Sequence, residues 1–271
     1  MDLINYQYLH VGENKIAYKR QGEGQTILFI HGIVTYSFIW RNIAPSFAAR
    51  NDVITIDLLG CGFSDKAFHQ DLSLKKQAQI IHTFCSKLKL QKIILVCHDV
   101  GGGIGQILAV NYPKYFSKLV LINSIGYNYW PVQPIISMRI PIIRQLIISV
   151  LDMGMLSLVI KRGLYYKNNL SNELLALFSL PLKNIDGRKS VLQFIKNLNT
   201  KDLIEIDEQI SELTIPTLII RGKADIYLSK AICNRLHTQI KTSKLITIKT
   251  GGHFIQEDEP ELISSYIKSF I

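Results

Sequence analysis

Short apolar runs alternate with amphipathic helical stretches along most of the chain, and this alternation limits the folds that it can adopt. Six apolar runs predict buried strands, at residues 26–31, 53–57, 92–97, 118–123, 215–221 and 244–248. Residues 15–20 alternate between polar and apolar and predict an early antiparallel strand. Helices are predicted over residues 73–88, with Ser73 as N-cap, over about 101–112, where Pro113 stops the helix, and from Pro260 onward. The pattern predicts an α/β fold with a mostly parallel sheet covered on both faces.

The alternation fails between Ile125 and about Glu208, where the sequence has helical periodicity and four prolines but no convincing strand. About 80 residues are too many for a loop in a compact domain. We therefore expect a helical insertion that lies over the sheet. This gives an α/β core in two parts, residues 1–126 and 209–271, separated by a helical cap at residues 127–208.

Composition excludes several classes of protein. A chain of 271 residues with 48% hydrophobic content can bury a substantial core. The four cysteines match neither a metal-ligand spacing nor a disulfide framework, and they indicate free thiols in a reducing compartment. The net charge of +10 comes from scattered lysines and arginines without a basic run, so we expect no nucleic-acid partner.

The chain offers no clear targeting or membrane segment. The first residues have neither a basic nor an apolar signal region. The strongest transmembrane candidate, residues 135–166, is interrupted by five charged residues and by Pro141. We expect a soluble, cytoplasmic protein that needs no cofactor and no metal.

A sharp turn between strand and helix carries the main chemical prediction. It reads Cys97-His98-Asp99-Val100-Gly101, with small residues two places before and two places after Asp99. Such a turn projects its central side chain out of the sheet as a nucleophile. A carboxylate there displaces a leaving group from sp³ carbon and forms an alkyl ester, which water activated by a histidine then hydrolyses. The alternative is that Asp99 only N-caps the following helix.

Two further residues complete a catalytic constellation. Asp225 lies just past the strand at 215–221, and His253 lies between the last strand and the last helix. Sites in open α/β sheets lie beyond the carboxyl ends of the strands. The chain order nucleophile, acid, histidine therefore predicts a triad of Asp99, Asp225 and His253.

Several segments together resemble the α/β-hydrolase superfamily over essentially the full length of the chain. They are His31-Gly32, residues 35–42, Asp57-Leu58-Leu59-Gly60-Cys61-Gly62-Phe63-Ser64-Asp65-Lys66, His98-Asp99-Val100-Gly101-Gly102, Gly252-His253-Phe254 and residues 257–260. The resemblance implies an eight-stranded, mostly parallel sheet flanked by helices, with an inserted cap. Because of Asp99, the chain looks more closely like the aspartate-nucleophile branch, which contains haloalkane dehalogenases, epoxide hydrolases and fluoroacetate dehalogenases.

The resemblance also implies roles for the loops around Asp99. The backbone N–H groups of Ile33 and Val100 would form the oxyanion hole, and His31 would orient its loop by hydrogen bonding. Haloalkane dehalogenases usually hold the halide with a Trp and an Asn at the positions of Val100 and Ile33, and neither residue here has a side-chain donor. Trp40 and the cap residue Trp130 remain as possible donors to a halide. Without donors at the positions of Val100 and Ile33, however, a typical dehalogenase is disfavoured.

Epoxide hydrolases use cap tyrosines to protonate the epoxide oxygen. The insertion offers Tyr127, Tyr129, Tyr165 and Tyr166, for which packing is the alternative role. The apolar residues 135–160 fit the lining of a pocket for a lipophilic substrate, the buried faces of cap helices, or a membrane-associating amphipathic surface.

We predict a hydrolase that acts on a small apolar organic substrate through an aspartyl ester. Epoxide hydrolysis comes first, dehalogenation second, and hydrolysis of esters or other acyl compounds third. The rival from another class is a non-catalytic protein that binds a small molecule with the same fold. An intact triad argues against that rival.

Overall fold

The computed structural model describes residues 6–129 and 153–271, which contain one eight-stranded sheet. The strands are β1 (Gln7–Val11), β2 (Asn14–Gln21), β3 (Gln25–Ile30), β4 (Asn51–Ile56), β5 (Ile93–Asp99), β6 (Phe116–Ser124), β7 (Thr217–Gly222) and β8 (Ser243–Ile248). Their order is β1-β2-β4-β3-β5-β6-β7-β8. The β1–β2 and β2–β4 pairs are antiparallel, and every other pair is parallel. The predicted α/β fold class is confirmed.

Ten α-helices lie in the described residues. They are α1 (Leu74–Lys87), α2 (Val100–Asn111), α3 (Met153–Gly163), α4 (Asn172–Ser179), α5 (Ile185–Asn197), α6 (Lys201–Ile204), α7 (Asp207–Ile210), α8 (Lys230–Gln239), α9 (Ile255–Asp258) and α10 (Pro260–Phe270). Short 3-10 turns at Ser37–Trp40 and Ala44–Phe47 connect β3 to β4. Between β6 and β7 the described residues form helices and turns without a strand, as expected for residues 127–208.

Local chemistry explains most of the element boundaries. The Ser73 hydroxyl accepts the N–H of Lys76 at 3.3 Å, so Ser73 is the predicted N-cap of α1. All seven residues of β5 are buried, which accounts for its continuous apolar run. The strand β1 was not predicted from its sequence, because most of its residues are exposed and it pairs with β2 only along one edge. Among the residues that the structure describes, no helix has the length and apolar character to cross a bilayer.

Close packing of α2 on the sheet depends on the glycine run that follows Asp99. A Cβ added at Gly101 would lie 2.5 Å from the backbone oxygen of His31 and 2.6 Å from that of Ile30. A Cβ added at Gly102 would lie 2.1 Å from the Ser124 hydroxyl oxygen. All three distances are shorter than real contacts allow, so any larger residue would push α2 away from β3 and β6.

We expect the substitution Gly101→Ala to destabilise the protein by about 2 kcal/mol, since overpacking against fixed backbone atoms outweighs the better helix propensity of alanine. Gly12→Ala is the matched control. No atom lies within 4 Å of its added Cβ, so only its positive φ of 61° is penalised, by about 1 kcal/mol. Urea denaturation measures both free energies of unfolding. Equal losses in the two variants would contradict the packing argument.

Candidate active site

Asp99 lies at the junction of β5 and α2 in a strained conformation, with φ of 52° and ψ of −120°. Asp99 occupies the N-cap position of α2, but its side chain makes no capping hydrogen bond, so the alternative that Asp99 serves only as a helix cap is wrong. Instead, its Oδ2 accepts the N–H of Ile33 at 3.0 Å. A Cβ added at Gly32 would lie 2.7 Å from this oxygen, which explains why glycine precedes Ile33.

The two amides predicted for the oxyanion hole both act on the Asp99 carboxylate. Burial raises the pKa of Asp99, while the charge of His253 and the backbone N–H groups of Ile33 and Val100 oppose that increase. The carboxylate is 5% exposed. Its oxygen therefore occupies the position that a substrate carbonyl oxygen would take in a serine-based site.

His253 and Asp225 form a buried pair on the loops that follow β8 and β7. The Nδ1–H of His253 donates to Asp225 Oδ2 at 3.1 Å. Asp225 Oδ1 accepts the backbone N–H groups of Tyr227 at 2.8 Å and Leu228 at 3.1 Å. Burial alone would raise the pKa of Asp225, but the His253 charge and these hydrogen bonds hold it below its usual value.

The charges of both carboxylates act on the imidazole. Burial alone would lower the pKa of His253, but the charge and hydrogen bond of Asp225, together with the charge of Asp99, raise it above its usual value. Asp99, Asp225 and His253 thus lie together beyond the carboxyl ends of β5, β7 and β8.

Two residues that sequence reasoning missed hold the backbone at His253. The Nδ2 of Asn123 donates to the carbonyls of Gly252 at 2.8 Å and His253 at 2.9 Å, and its Oδ1 accepts the N–H of Gly222 at 2.8 Å. The Nε2–H of His98 donates to the same His253 carbonyl at 3.0 Å, and burial lowers the pKa of His98 to about 3. The one sequence signal for Asn123 is that a polar residue ends the apolar run of β6.

His31 and Trp40 support the site from within the core. The Nδ1–H of His31 donates to the Gly32 carbonyl at 2.7 Å, and its Nε2 accepts the N–H of Leu58 at 3.0 Å. Burial lowers the pKa of His31 to about 4, so the ring is neutral. The Trp40 ring is fully buried and meets the His98 ring edge-on, with 6.5 Å between centroids.

The described contacts of Tyr127 and Tyr129 are made with residues other than Asp99, Asp225 and His253. The Tyr127 hydroxyl donates to Gln239 of α8, and the Arg235 guanidinium lies 3.9 Å from the centroid of the Tyr127 ring. Tyr129 is half-exposed and its ring contacts that of Tyr127. Trp130 lies outside the described residues.

The described contacts of Tyr165 and Tyr166, which follow α3, are likewise made with residues other than Asp99, Asp225 and His253. Tyr165 and Tyr166 are each more than 40% exposed, and their rings contact each other edge-on. The Tyr166 hydroxyl donates to Glu259 at 3.3 Å. Tyr227, which follows β7, makes an aromatic contact to His253 instead, and its ring lies edge-on to the imidazole with 5.2 Å between the ring centroids. Within residues 6–129 and 153–271, no group of three His, Cys, Asp or Glu side chains is arranged to hold a metal ion.

Comparisons with known proteins agree with this architecture. A family model described as the α/β-hydrolase fold matches residues 25–140. An uncharacterized hydrolase of Bacillus subtilis, YugF, is 28% identical over 100% of this chain and 96% of its own length. A cis-3-alkyl-4-alkyloxetan-2-one decarboxylase of Shewanella oneidensis is 25% identical over 97% and 87% of the two chains. Epoxide hydrolase 1 of Caenorhabditis elegans is 27% identical over 98% of this chain and 70% of its own.

Solved structures are similar over almost the whole molecule. An α/β-hydrolase fold protein from Burkholderia ambifaria has a TM-score of 0.91 at 24% identity, with 99% and 98% of the two chains covered. A reconstructed ancestral haloalkane dehalogenase has a TM-score of 0.85 at 26% identity, with 97% of each chain covered. The sheet order and these similarities show that the chain has the α/β-hydrolase fold.

Proposed function

We propose that the protein is a hydrolase in which Asp99 attacks an electrophilic sp³ carbon and forms an alkyl ester that water then hydrolyses. The hydrogen bond from the Ile33 N–H to Asp99 Oδ2 carries this proposal. Once the other carboxylate oxygen is alkylated, Oδ2 becomes the carbonyl oxygen of the ester. Attack of water at Cγ then places negative charge on an oxygen that already has a backbone donor at 3.0 Å.

The same hydrogen bond disfavours hydrolysis of acyl substrates. A substrate carbonyl would need the Ile33 amide for its own oxyanion, but the nucleophile itself occupies that donor. A carboxylate is also a poor nucleophile toward acyl carbon, because its mixed anhydride product is itself highly reactive. The site therefore fits hydrolysis of an ester formed on the enzyme.

The two steps balance within the proposed triad. In the first, a lone pair of Asp99 forms the carbon–oxygen bond while the leaving group departs with the electrons of the broken bond. In the second, Nε2 of His253 takes a proton from water, and the resulting hydroxide attacks Cγ of Asp99. Collapse of the tetrahedral intermediate expels the product oxygen, which receives that proton and leaves Asp99 as a carboxylic acid. The remaining proton of the attacking water then passes from Asp99 to the alkoxide formed when an epoxide opens, or to solvent when a halide has left, and this restores the carboxylate. Asp225 orients the imidazole and stabilises its positive charge.

Burial of the nucleophile favours the first step. A carboxylate without a full water shell has less solvent to lose when it attacks carbon. The pKa of Asp99 is raised by this burial, but the ionised form keeps the Ile33 and Val100 amides as partners. The described part of the insertion, residues 153–208, would cover the site as a cap and exclude water from it.

An epoxide is the substrate class that we place first. Ring strain assists carbon–oxygen cleavage, and the leaving oxygen stays attached to the substrate. Displacement of a halide depends on donors to the departing ion, and the side chains of Val100 and Ile33 supply none. The names of the Shewanella and Caenorhabditis relatives both refer to strained cyclic substrates, an oxetanone and an epoxide. Haloalkane dehalogenation is the second candidate, because the structure is similar to that of the ancestral haloalkane dehalogenase.

The variant His253→Gln should accumulate substrate on Asp99, because loss of the base stalls hydrolysis of the ester but leaves the nucleophile intact. We expect turnover to fall about 10³-fold. Intact-protein and peptide mass spectrometry would measure the adduct after incubation with styrene oxide, bromobutane, a dialkyl β-lactone and nitrophenyl butyrate.

The control His237→Gln changes an exposed histidine of α8 and should leave turnover unchanged without an adduct. A double variant that also carries Asp99→Asn should remain unlabelled. Absence of an adduct with every compound, together with an inactive wild type, would contradict the proposed mechanism.

The pKa of His253 should fall in the variant Asp99→Asn, since the charge of Asp99 is one of the causes that raise it. Esterification removes the same charge, so the imidazole loses its proton more readily at the step in which it must act as base. Titration of the ¹⁵N-labelled histidines by NMR measures the shift. Asp71→Asn, in an exposed loop, is the control, and a His253 pKa that is unchanged or higher in Asp99→Asn would contradict the coupling.

A further inference from the structure

The C-terminal turn of α3 and the His253 loop are joined through their backbones. The carbonyl of Gly163 accepts the N–H groups of His253 at 2.6 Å and Phe254 at 3.2 Å. A Cβ added at Gly252 would lie 2.3 Å from that carbonyl oxygen, and one added at Gly163 would lie 2.7 Å from the Phe254 ring. Both positions must be glycine for the two segments to approach this closely.

Asp258 lies between the same two segments and binds both of them. Its Oδ2 accepts the N–H of Gly252 at 2.8 Å, on the loop that carries His253. Both of its oxygens accept the N–H of Tyr165, at 3.0 and 2.9 Å, and Oδ1 also accepts the N–H of Tyr166 at 3.0 Å. The residue is 8% exposed, so these are charge-assisted bonds with little competition from water.

Tyr227 makes a second connection to α3, and this one starts from the loop that carries Asp225. Its hydroxyl donates to the Val159 carbonyl at 2.8 Å. Its backbone N–H donates to Asp225 Oδ1 at 2.8 Å, and its ring lies edge-on to His253 at 5.2 Å. Asp225 and His253 are therefore both linked to α3, Asp225 through Tyr227 and His253 through Gly163.

We propose that Asp258 and Tyr227 are positioning residues that hold the Asp225–His253 pair against the C-terminal turn of α3, so that the imidazole faces Asp99. This proposal rests on the proposed function for its catalytic consequence. Neither residue needs to touch substrate or the reacting atoms. Asp99 does not depend on them, because β5, Gly32 and the Ile33 amide hold its carboxylate.

Because Asp99 and the Asp225–His253 pair are held by different residues, loss of Asp258 or Tyr227 should affect the rates of the two chemical steps differently. Alkylation uses Asp99, whereas hydrolysis of the ester uses His253. In Asp258→Asn and Tyr227→Phe, single-turnover measurements with styrene oxide should give a near-normal rate of adduct formation. The rate of adduct breakdown should fall about tenfold to hundredfold, the loss expected when a catalytic group is displaced by a fraction of an ångström to one ångström.

Asp202→Asn is the matched control. Asp202 is also a buried carboxylate that accepts a backbone N–H from another element, that of Lys75 at 3.1 Å, but it is remote from His253. It should lower the melting temperature without changing the ratio of the two rates. Tyr227→Phe removes one oxygen atom and keeps the ring, so it tests the proposal even where Asp258→Asn fails to fold.

A measurement without substrate separates this proposal from the proposed function. In the wild type, the His253 Nδ1–H that binds Asp225 should give a protected, downfield proton resonance. We expect its exchange with water to be at least about tenfold faster in Asp258→Asn and Tyr227→Phe, and unchanged in Asp202→Asn. Unchanged exchange in both test variants, with only a lower melting temperature, would overturn the positioning role whether or not the protein turns over an epoxide.

Discussion

The contact between the Asp99 carboxylate and the Ile33 amide is the interaction on which the rest of the site depends. It joins the end of β5 to the loop after β3, over a glycine that leaves room for the side chain. Without that hydrogen bond, a buried anion in a strained turn would lose one of the two backbone donors that stabilise its charge. The close approach of α2 at Gly101 fixes the same turn from the other side. One local arrangement thus sets the position of the Asp99 carboxylate, and with it the position of the proposed nucleophile and of the carbonyl oxygen in the proposed ester.

The histidine is held in a different way, mainly through its backbone. The carbonyl of His253 accepts from Asn123 and His98, and its N–H donates to Gly163. Asn123 also accepts the N–H of Gly222, so one amide side chain joins the ends of β6 and β7 to the histidine loop. Because the main chain is fixed on both sides, the hydrogen bond to Asp225 only has to orient the imidazole. Nucleophile and base therefore belong to separately stabilised parts of the same sheet edge.

Local patterns were sufficient to predict the strands from β2 to β8 and the capped helix α1, because each leaves a periodic or positional signal. The positions of Asn123, Tyr227 and Asp258 were not predictable, since their partners lie far away in sequence and a single polar residue carries no pattern. For the tyrosines of the insertion, residue type alone suggested a role that the tertiary contacts do not support. Tyr127 was considered for substrate contact, but its ring packs under Arg235, a pairing that only the tertiary fold reveals.

The charges of the buried histidines and carboxylates couple Asp99 to His253. His31 and His98 are neutral, because burial lowers their pKa values to about 4 and about 3, and the ring of each makes hydrogen bonds to backbone groups. The ionisable centre is then reduced to two carboxylates around one imidazole, and this excess of negative charge favours the imidazolium. Alkylation of Asp99 removes one of the two negative charges. In the proposed mechanism, this loss of charge lowers the pKa of His253 and so prepares the imidazole to act as the base of the second step.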